Sequence, residues 1–247
     1  MRKGILLLVL LLSVRSFATG QIPDKIIYEG KSYSLLTNPL EKYFDQFPGK
    51  RPADSMSSTA LWRGYIATFE IYGKKLCLKD IIVEKRADST GYAIKKVSVF
   101  KEIFGNVDRF DCSFYTGLLV IPHGEIVNYV HMGYASTYEN YILLEINNGD
   151  FVKSKAFDYK QYGDFRERQF AAYKKTDEYK KQFEEMQKMF AENKEMLQSE
   201  MDEEDAPRQS GSKNKYLEEK EKKWDTEKQV EGFIKVFIID YTTKILD

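Results

Sequence analysis

The sequence predicts an α+β protein, in which an antiparallel sheet of successive β-hairpins is followed by a long amphipathic helix. Between residues 25 and 159, short runs of aromatic and β-branched residues alternate with tight-turn signals, as strands and hairpins require. Residues 164–197 contain neither proline nor glycine, and their apolar residues recur at helical spacing. A last β-branched run, residues 233–241, predicts a C-terminal strand that returns to the sheet.

The first predicted hairpin spans residues 25–36 and turns at Gly30, because glycine tolerates the positive φ of a two-residue turn. Asn38 and Pro39 then supply an N-cap and a proline at the first helical position, so a short helix is predicted over residues 40–47.

Three further hairpins are predicted over residues 61–83, 117–130 and 141–152. Their turns are predicted at Tyr72-Gly73, Pro122-His123-Gly124 and Asn147-Asn148-Gly149-Asp150. The Asn-Gly pair of the last turn is the strongest short-range hairpin signal in the chain. Hairpins in succession imply an antiparallel sheet, since parallel strands need longer crossover connections.

The helical part is defined by an apolar stripe whose gaps are mostly of three, four and seven residues. Its members are Phe170, Tyr173, Tyr179, Phe183, Met186, Phe190 and Leu197. Residues 199–214 are acidic and then contain proline, serine and glycine, which predicts a flexible linker. A highly charged second helix, residues 215–229, could lie back against the first as in a coiled coil.

The predicted organisation is one domain with a helical excursion. We expect a β-rich core over residues 21–160, the excursion over residues 161–231, and a core strand within residues 232–247.

Residues 1–20 have the features of a cleavable signal peptide. Two positive residues precede an apolar run over residues 4–14, and small side chains lead to a predicted cut between Gly20 and Gln21. A membrane anchor would need about 20 apolar residues, and Arg15 ends this run too early. No cysteine near the cut could carry a lipid, and no later run is apolar enough to span a membrane. We therefore expect an exported, soluble protein, periplasmic or secreted.

The charge balance argues against nucleic acid as a partner. The chain has 38 basic and 38 acidic residues, and removal of Arg2, Lys3 and Arg15 with the signal leaves 35 basic residues against 38 acidic ones. Nucleic-acid binding would require a clearly basic face.

The two cysteines, Cys77 and Cys112, have two possible states. In an oxidising compartment a pair predicts one disulfide, and strand alternation places Cys77 on the side of its neighbouring lysines rather than its neighbouring leucines. The alternative is two buried free thiols.

The candidate binding residues are aromatic residues and their neighbours in two segments, one around Trp62 and one over residues 131–141. They are Trp62, Arg63, Tyr65, His131, Tyr134, Tyr138 and Glu139. Tryptophan, tyrosine and arginine give a large contact area at low ordering cost, which favours a recognition surface. The alternative is that these rings belong to the core of a twisted sheet.

Metal and catalytic sites find little support in the sequence. His123, Glu125 and His131 would share one face of a continuous strand and could form a metal site, but a turn at His123 would break that face. A hydrolase could use His131 with Glu139, or His123 with Glu125, although no nucleophile motif accompanies either pair. No metal and no cofactor is therefore predicted.

Three segments carry a family resemblance. They are Ile26-Ile27-Tyr28-Glu29-Gly30-Lys31 with Asn38-Pro39-Leu40-Glu41, residues Trp62 to Ile71, and Tyr129-Val130-His131-Met132-Gly133-Tyr134 with Tyr138-Glu139. Together, over residues 22–155, they resemble a group of uncharacterised bacterial exported proteins without an assigned function. The resemblance implies a bacterial source and a compact β-rich domain, and it carries no catalytic residue.

The sequence predicts a non-catalytic exported protein that binds another protein or an envelope component through Trp62 and residues 131–141. The alternatives are the hydrolase described above and a structural protein that self-associates through its helices.

Overall fold

The computed structural model describes residues 20–53, 55–87, 93–131, 133–204 and 226–245. These residues divide into two compact units. The sheet unit contains residues 20–165 and 239–245, and the helical unit contains residues 166–204 and 226–238. The mixture of a large sheet with helices confirms the predicted α+β class.

The described residues form nine strands and five α-helices. The strands are β1 (Asp24–Tyr28), β2 (Lys31–Leu35), β3 (Tyr65–Tyr72), β4 (Lys75–Arg86), β5 (Ile94–Ser98), β6 (Phe110–Asp111), β7 (Gly117–Asn128), β8 (Thr137–Asn147) and β9 (Asp150–Asp158). The helices are α1 (Pro39–Gln46), α2 (Phe100–Phe104), α3 (Tyr159–Tyr173), α4 (Asp177–Glu204) and α5 (Thr226–Val236). Two 3₁₀ turns, Pro48–Lys50 and Ile238–Tyr241, complete the set.

The sheet has the strand order β2-β1-β3-β4-β9-β8-β7, with β5 and β6 paired to β4. Its pairs are antiparallel except for β1 and β3, which are parallel. A sheet of successive hairpins alone would contain no parallel pair, and this one arises because α1 and a long loop separate β2 from β3. The first and last strands of this order, β2 and β7, come together at one point. The amide of Leu36, directly after β2, donates to the carbonyl of Val120 in β7 at 2.9 Å.

The core of the sheet unit lies on the faces of β1, β3 and β4 that α1 covers. Ile26, Phe69 and Leu78 are fully buried, as is Leu40 from α1. Each such side chain contributes about 1.5–3 kcal/mol through removal of its apolar surface from water. Phe44 of α1 also packs on this core, so α1 is fixed against the start of β3.

The predicted hairpin over residues 117–130 is wrong. The chain continues through His123 in one strand, β7, which pairs with β8 on both sides of a register shift. Gly124 has a φ of 81°, and the carboxylate of Glu139 in β8 accepts a hydrogen bond from the amide of Glu125 at 3.0 Å. The glycine therefore forms a β-bulge, which bends a strand without ending it.

The predicted single helix over residues 164–197 is divided into α3 and α4. Thr176 is the N-cap of α4, because its hydroxyl accepts a hydrogen bond from the amide of Tyr179 at 3.1 Å. Asp177 and Glu178 place negative charge in the first turn of α4, where it complements the helix dipole. A threonine followed by two acidic residues is a helix start signal within the apolar periodicity.

The predicted C-terminal strand over residues 233–241 is also wrong. Most of it belongs to α5 and to the 3₁₀ turn Ile238–Tyr241. Val230 and Ile234, four residues apart, are fully buried on one face of α5. Burial at helical spacing outweighs the strand preference of β-branched residues, which depends strongly on context. Residues 239–245 belong to the sheet unit without adding a strand.

The helical unit packs the apolar stripe onto itself. The rings of Phe190 in α4 and Phe233 in α5 lie 6.2 Å apart. Two residues before Phe233, Glu231 accepts hydrogen bonds from the hydroxyl of Tyr179 at 3.3 Å and from the ammonium of Lys174 at 2.7 Å. Residues of the apolar stripe therefore pack against other residues of the helical unit.

The predicted disulfide is not present, and both cysteines are free thiols. Cys77 pairs with Asp111 across the ladder of β4 and β6, and its Sγ lies 3.6 Å from a carboxylate oxygen of Asp111. Cys112 is the next residue, and side chains alternate along a strand, so its thiol points to the opposite face and lies in the core.

Three predictions fall partly or wholly on residues beyond the described ranges. The signal peptide lies there apart from Gly20, as does the charged helix before Thr226. The linker lies there beyond Glu204, while residues 199–204 are the end of α4. No helix of the described chain has both the length and the apolar character needed to cross a membrane.

Candidate binding surface

Three segments of the sheet unit meet beside the start of β3. The amide of Gln21 donates to the carbonyl of Gly133 at 3.1 Å, and the amide of Ile22 donates to the carbonyl of Ala60 at 2.8 Å. These bonds join residues 20–23 to the loop before β3 and to the segment formed by residues 129–131 and 133–136. One small region thus contains parts of both predicted aromatic segments.

Arg63 holds these segments together from the inside. Its guanidinium donates to the hydroxyl of Tyr134 at 2.8 Å and to the carbonyl of Ile22 at 2.9 Å. It also lies 3.4 Å from a carboxylate oxygen of Asp24, and both side chains are fully buried. The hydroxyl of Tyr134 in turn donates to Asn38 Oδ1 at 3.1 Å, which brings in the start of α1. We call this set of five residues the Arg63 clasp.

Asp24 is the buried acid of the clasp. One of its carboxylate oxygens accepts a hydrogen bond from the amide of Ala67 at 2.8 Å, while the other, Oδ2, has no hydrogen-bond partner. Burial raises the pKa of Asp24 to about 7, against the opposing effect of the Arg63 charge. The free-energy cost of removing the carboxylate from water therefore exceeds the stabilisation that one long ion pair and one hydrogen bond provide.

A second polar group lies next to the clasp. The hydroxyl of Tyr65 donates to Glu41 at 2.6 Å, and the guanidinium of Arg51 binds the same carboxylate through two bonds of 3.1 and 2.8 Å. Tyr65 is fully buried, and burial raises its pKa well above the usual value. Tyr65 and Arg63 are therefore supports beneath a surface rather than parts of it.

The outer layer of this region is aromatic and exposed. Gly64 has a φ of 77°, and the turn that it allows leaves Trp62 outside while Arg63 enters the core. Trp62 is 46% exposed, Ile22 is 38% exposed and Tyr129 is 63% exposed. The Tyr129 hydroxyl lies 2.7 Å from Nδ1 of the exposed His131.

We call the outward-facing set the clasp surface. It consists of Ile22, Trp62, Tyr129, His131 and the half-buried Tyr134.

Tyr138 and Glu139 are not part of the clasp surface. The amide of Tyr138 donates to the Tyr141 hydroxyl, and Glu139 binds the bulge of β7. Glu139 also lines a shallow, open depression of about 460 Å³, together with Asp158 at the start of α3. Asp158 is occupied as the N-cap of α3, since it accepts from the amides of the two residues after Tyr159. The predicted binding residues therefore divide between two places.

Neither histidine is bonded to the acidic residue with which the sequence pairs it. Across the described chain, no hydrogen bond or ion pair joins His131 to Glu139 or His123 to Glu125. His123 lies opposite Asn140 in the ladder. No group of three or more histidine, cysteine, aspartate or glutamate side chains among the described residues is arranged to hold a metal ion.

The sequence prediction missed the acidic members of this region. Asp24 is in phase with the buried Ile26 and Tyr28, so alternation along β1 already places its carboxylate on the core face. Glu41 has no comparable signal, because its partners Arg51 and Tyr65 are brought to it only by the tertiary fold.

No protein-family model matches the chain, and neither curated proteins nor solved structures give a match. A functional assignment therefore depends on the side chains described above.

Proposed function

We propose that this chain is an exported, non-catalytic binding protein, and that the clasp surface recognises another protein. The observation that carries the proposal is the arrangement around Arg63. A fully buried arginine joins three segments, and each of them presents an exposed or half-exposed apolar side chain at the same end of β3. Aromatic anchors on a rigid support are typical of binding hot spots.

The charge and polarity of the surface favour a protein as the ligand. Trp62, Tyr129 and Tyr134 combine a large apolar body with a polar atom, as paratope residues do. The five residues of the clasp surface include no lysine or arginine, so they form no concentration of positive charge that would attract nucleic acid.

Photo-crosslinking tests the proposal directly. A benzophenone amino acid at Trp62 is expected to capture a partner in cells that export the chain. The same probe at Tyr72 is the control, because Tyr72 is also exposed but lies at the far end of β3, roughly 25 Å away for an eight-residue strand. Equal capture from both positions, or none from Trp62, would contradict the proposal.

The captured partner then allows a quantitative test. Trp62→Ala is expected to weaken binding of the purified partner by about 30-fold or more, as loss of a tryptophan hot spot does. Trp62→Phe keeps an aromatic ring and is expected to retain most of the affinity. Circular dichroism of both variants should match the parent chain, since the Trp62 side chain lies outside the core.

Export is proposed on the signal features of residues 1–20. N-terminal sequencing of the protein recovered outside the cytoplasm is expected to begin at Gln21. Recovery of the intact Met1 terminus from the cytoplasm would contradict this part of the proposal.

A further inference from the structure

We infer that the carboxyl group of Asp24 is a proton-controlled latch, which keeps the Arg63 clasp closed when protonated and loosens it when ionised. The inference rests on the proposed function in one respect, since it makes the latch a regulator of the clasp surface.

Asp24 lies on the core side of Arg63, whose other partners are neutral. Arg63 has two neutral partners, the Tyr134 hydroxyl and the Ile22 carbonyl, and one acidic partner, Asp24. The two neutral bonds are the ones that fix the clasp surface. A change at Asp24 therefore acts on Arg63 from the core side, and Arg63 transmits it to Ile22 and Tyr134.

The carboxyl of Asp24 is enclosed by groups from every neighbouring element. Its ladder partner in β2 is Leu35, and Thr37, two residues further on, has a buried hydroxyl without a hydrogen-bond partner. The charged or titratable groups that face it are Arg63 before β3, Tyr65 in β3, Glu41 in α1 and Tyr134 before β8. Glu41 has Arg51 as its own partner and adds negative charge beside Asp24.

Closing the clasp strips water from both carboxylate oxygens of Asp24. Only Oδ1 receives hydrogen bonds in return, while Oδ2 receives none. In a buried site, an ionised carboxylate with one oxygen lacking a hydrogen bond costs more free energy than the neutral, protonated group does. Burial accordingly raises the pKa of Asp24 to about 7 in the closed form.

Linkage then fixes the direction of the switch. A group that binds its proton more tightly in the closed form stabilises that form when protonated. Acidification below about pH 7 therefore closes the clasp, and a rise above that value favours states in which water reaches Asp24. Opening detaches Ile22 and Tyr134 from Arg63, and with them the surface that they support.

An NMR titration of the full chain without any partner tests the latch, over about pH 5 to about pH 9. The carboxyl carbon of Asp24 is expected to titrate with a midpoint near 7. The Ile22 amide and the Trp62 indole are expected to shift with the same midpoint. Asp24→Asn imitates the protonated acid and should hold these signals at their low-pH positions. A carboxyl midpoint below about 5 would overturn the latch, and this measurement needs no variant.

His131 provides the control, because it is the histidine of the clasp surface. His131→Gln is expected to leave the shifts of Ile22 and Trp62 in place. If they vanish in His131→Gln and persist in Asp24→Asn, the latch is wrong.

The partner captured through Trp62 separates the latch from the proposed function. Its affinity is expected to fall by up to about tenfold per pH unit above the midpoint, and Asp24→Asn should abolish that fall. Affinity that depends on Trp62 but not on pH would refute regulation and leave the binding function intact. If Asp24 and the clasp signals titrate together but Trp62 captures no partner, the latch stands and the proposed binding function is refuted.

Discussion

Glu145 binds the backbone of Ile245, one hundred residues further along the chain. The carboxylate of Glu145 accepts a hydrogen bond from the Ile245 amide at 2.8 Å, and the ammonium of Lys153 donates to the Ile245 carbonyl at 3.1 Å. Glu145 and Lys153 face each other across the ladder of β8 and β9. Two opposite charges on neighbouring strands thus hold the amide and the carbonyl of one residue in the C-terminal segment.

Glu145→Ala is expected to release the C-terminal segment and to lower the free energy of unfolding by about 1–3 kcal/mol, because the buried Ile245 amide loses its acceptor. Urea denaturation measures the loss, and limited proteolysis should show faster cleavage after residue 238. Glu145→Gln keeps an accepting oxygen and should lose much less. Equal losses in the two variants would show that the charge, rather than the hydrogen bond, secures the segment.

Cys77 and Cys112 should both be alkylated after unfolding, and neither should react at a useful rate in the native protein. Burial and the nearby Asp111 carboxylate raise the pKa of Cys77 to about 11, and burial raises the pKa of Cys112 further. The reactive thiolate is therefore scarce at neutral pH. Mass spectrometry without a reductant checks both statements. A mass lower by two hydrogens would show that the bridge forms after all.

Local sequence signals located most of the strands, because turn chemistry acts over a few residues. Asn148-Gly149 lies between β8 and β9, as the strong hairpin signal predicts. Gly124 has the same type of backbone conformation, yet it forms a bulge. The difference is made by Glu139 from the neighbouring strand, which no local pattern shows.

The candidate surface was predictable in composition but not in arrangement. Trp62 and Tyr134 stand out as aromatic residues within two positions of a glycine, and both lie in the region of the clasp. The sequence groups Arg63 with them in a recognition surface, although its side chain is buried. Its burial depends on Asp24, which is brought to it by the parallel pairing of β1 with β3, a contact between distant segments.

The free energy of unfolding is expected to depend on pH because of Asp24. The folded pKa of about 7 exceeds the ordinary value of 3.8, so the folded state keeps a proton that the unfolded state has lost. This contribution is fully present below the ordinary value and is lost as the pH rises to about 7, by about 1.4 kcal/mol per pH unit. Asp24→Asn should remove that part of the slope in urea denaturation measured at several pH values.

The exposed Asp45 of α1 supplies the control for this measurement. Asp45→Asn makes the same substitution at an exposed position of the same unit, and the part of the slope that depends on Asp24 should persist in it. An Asp24→Asn slope equal to that of the parent chain would show that Arg63 keeps the acid ionised in the folded state.

Gly64→Ala is expected to destabilise the sheet unit more than Gly30→Ala, although both glycines have nearly the same φ, 77° and 75°. An alanine pays the strain of a positive φ at either position, about 1 kcal/mol. At Gly30 the added Cβ meets open space, whereas at Gly64 it would lie 2.6 Å from the Ser55 hydroxyl oxygen. The excess in unfolding free energy therefore measures the close packing that turns Trp62 outward and Arg63 inward. A Gly64→Ala, Ser55→Ala double variant should recover part of that excess. Equal losses of unfolding free energy at Gly30 and Gly64 would show that the loop before β3 adjusts to the added methyl group without further cost.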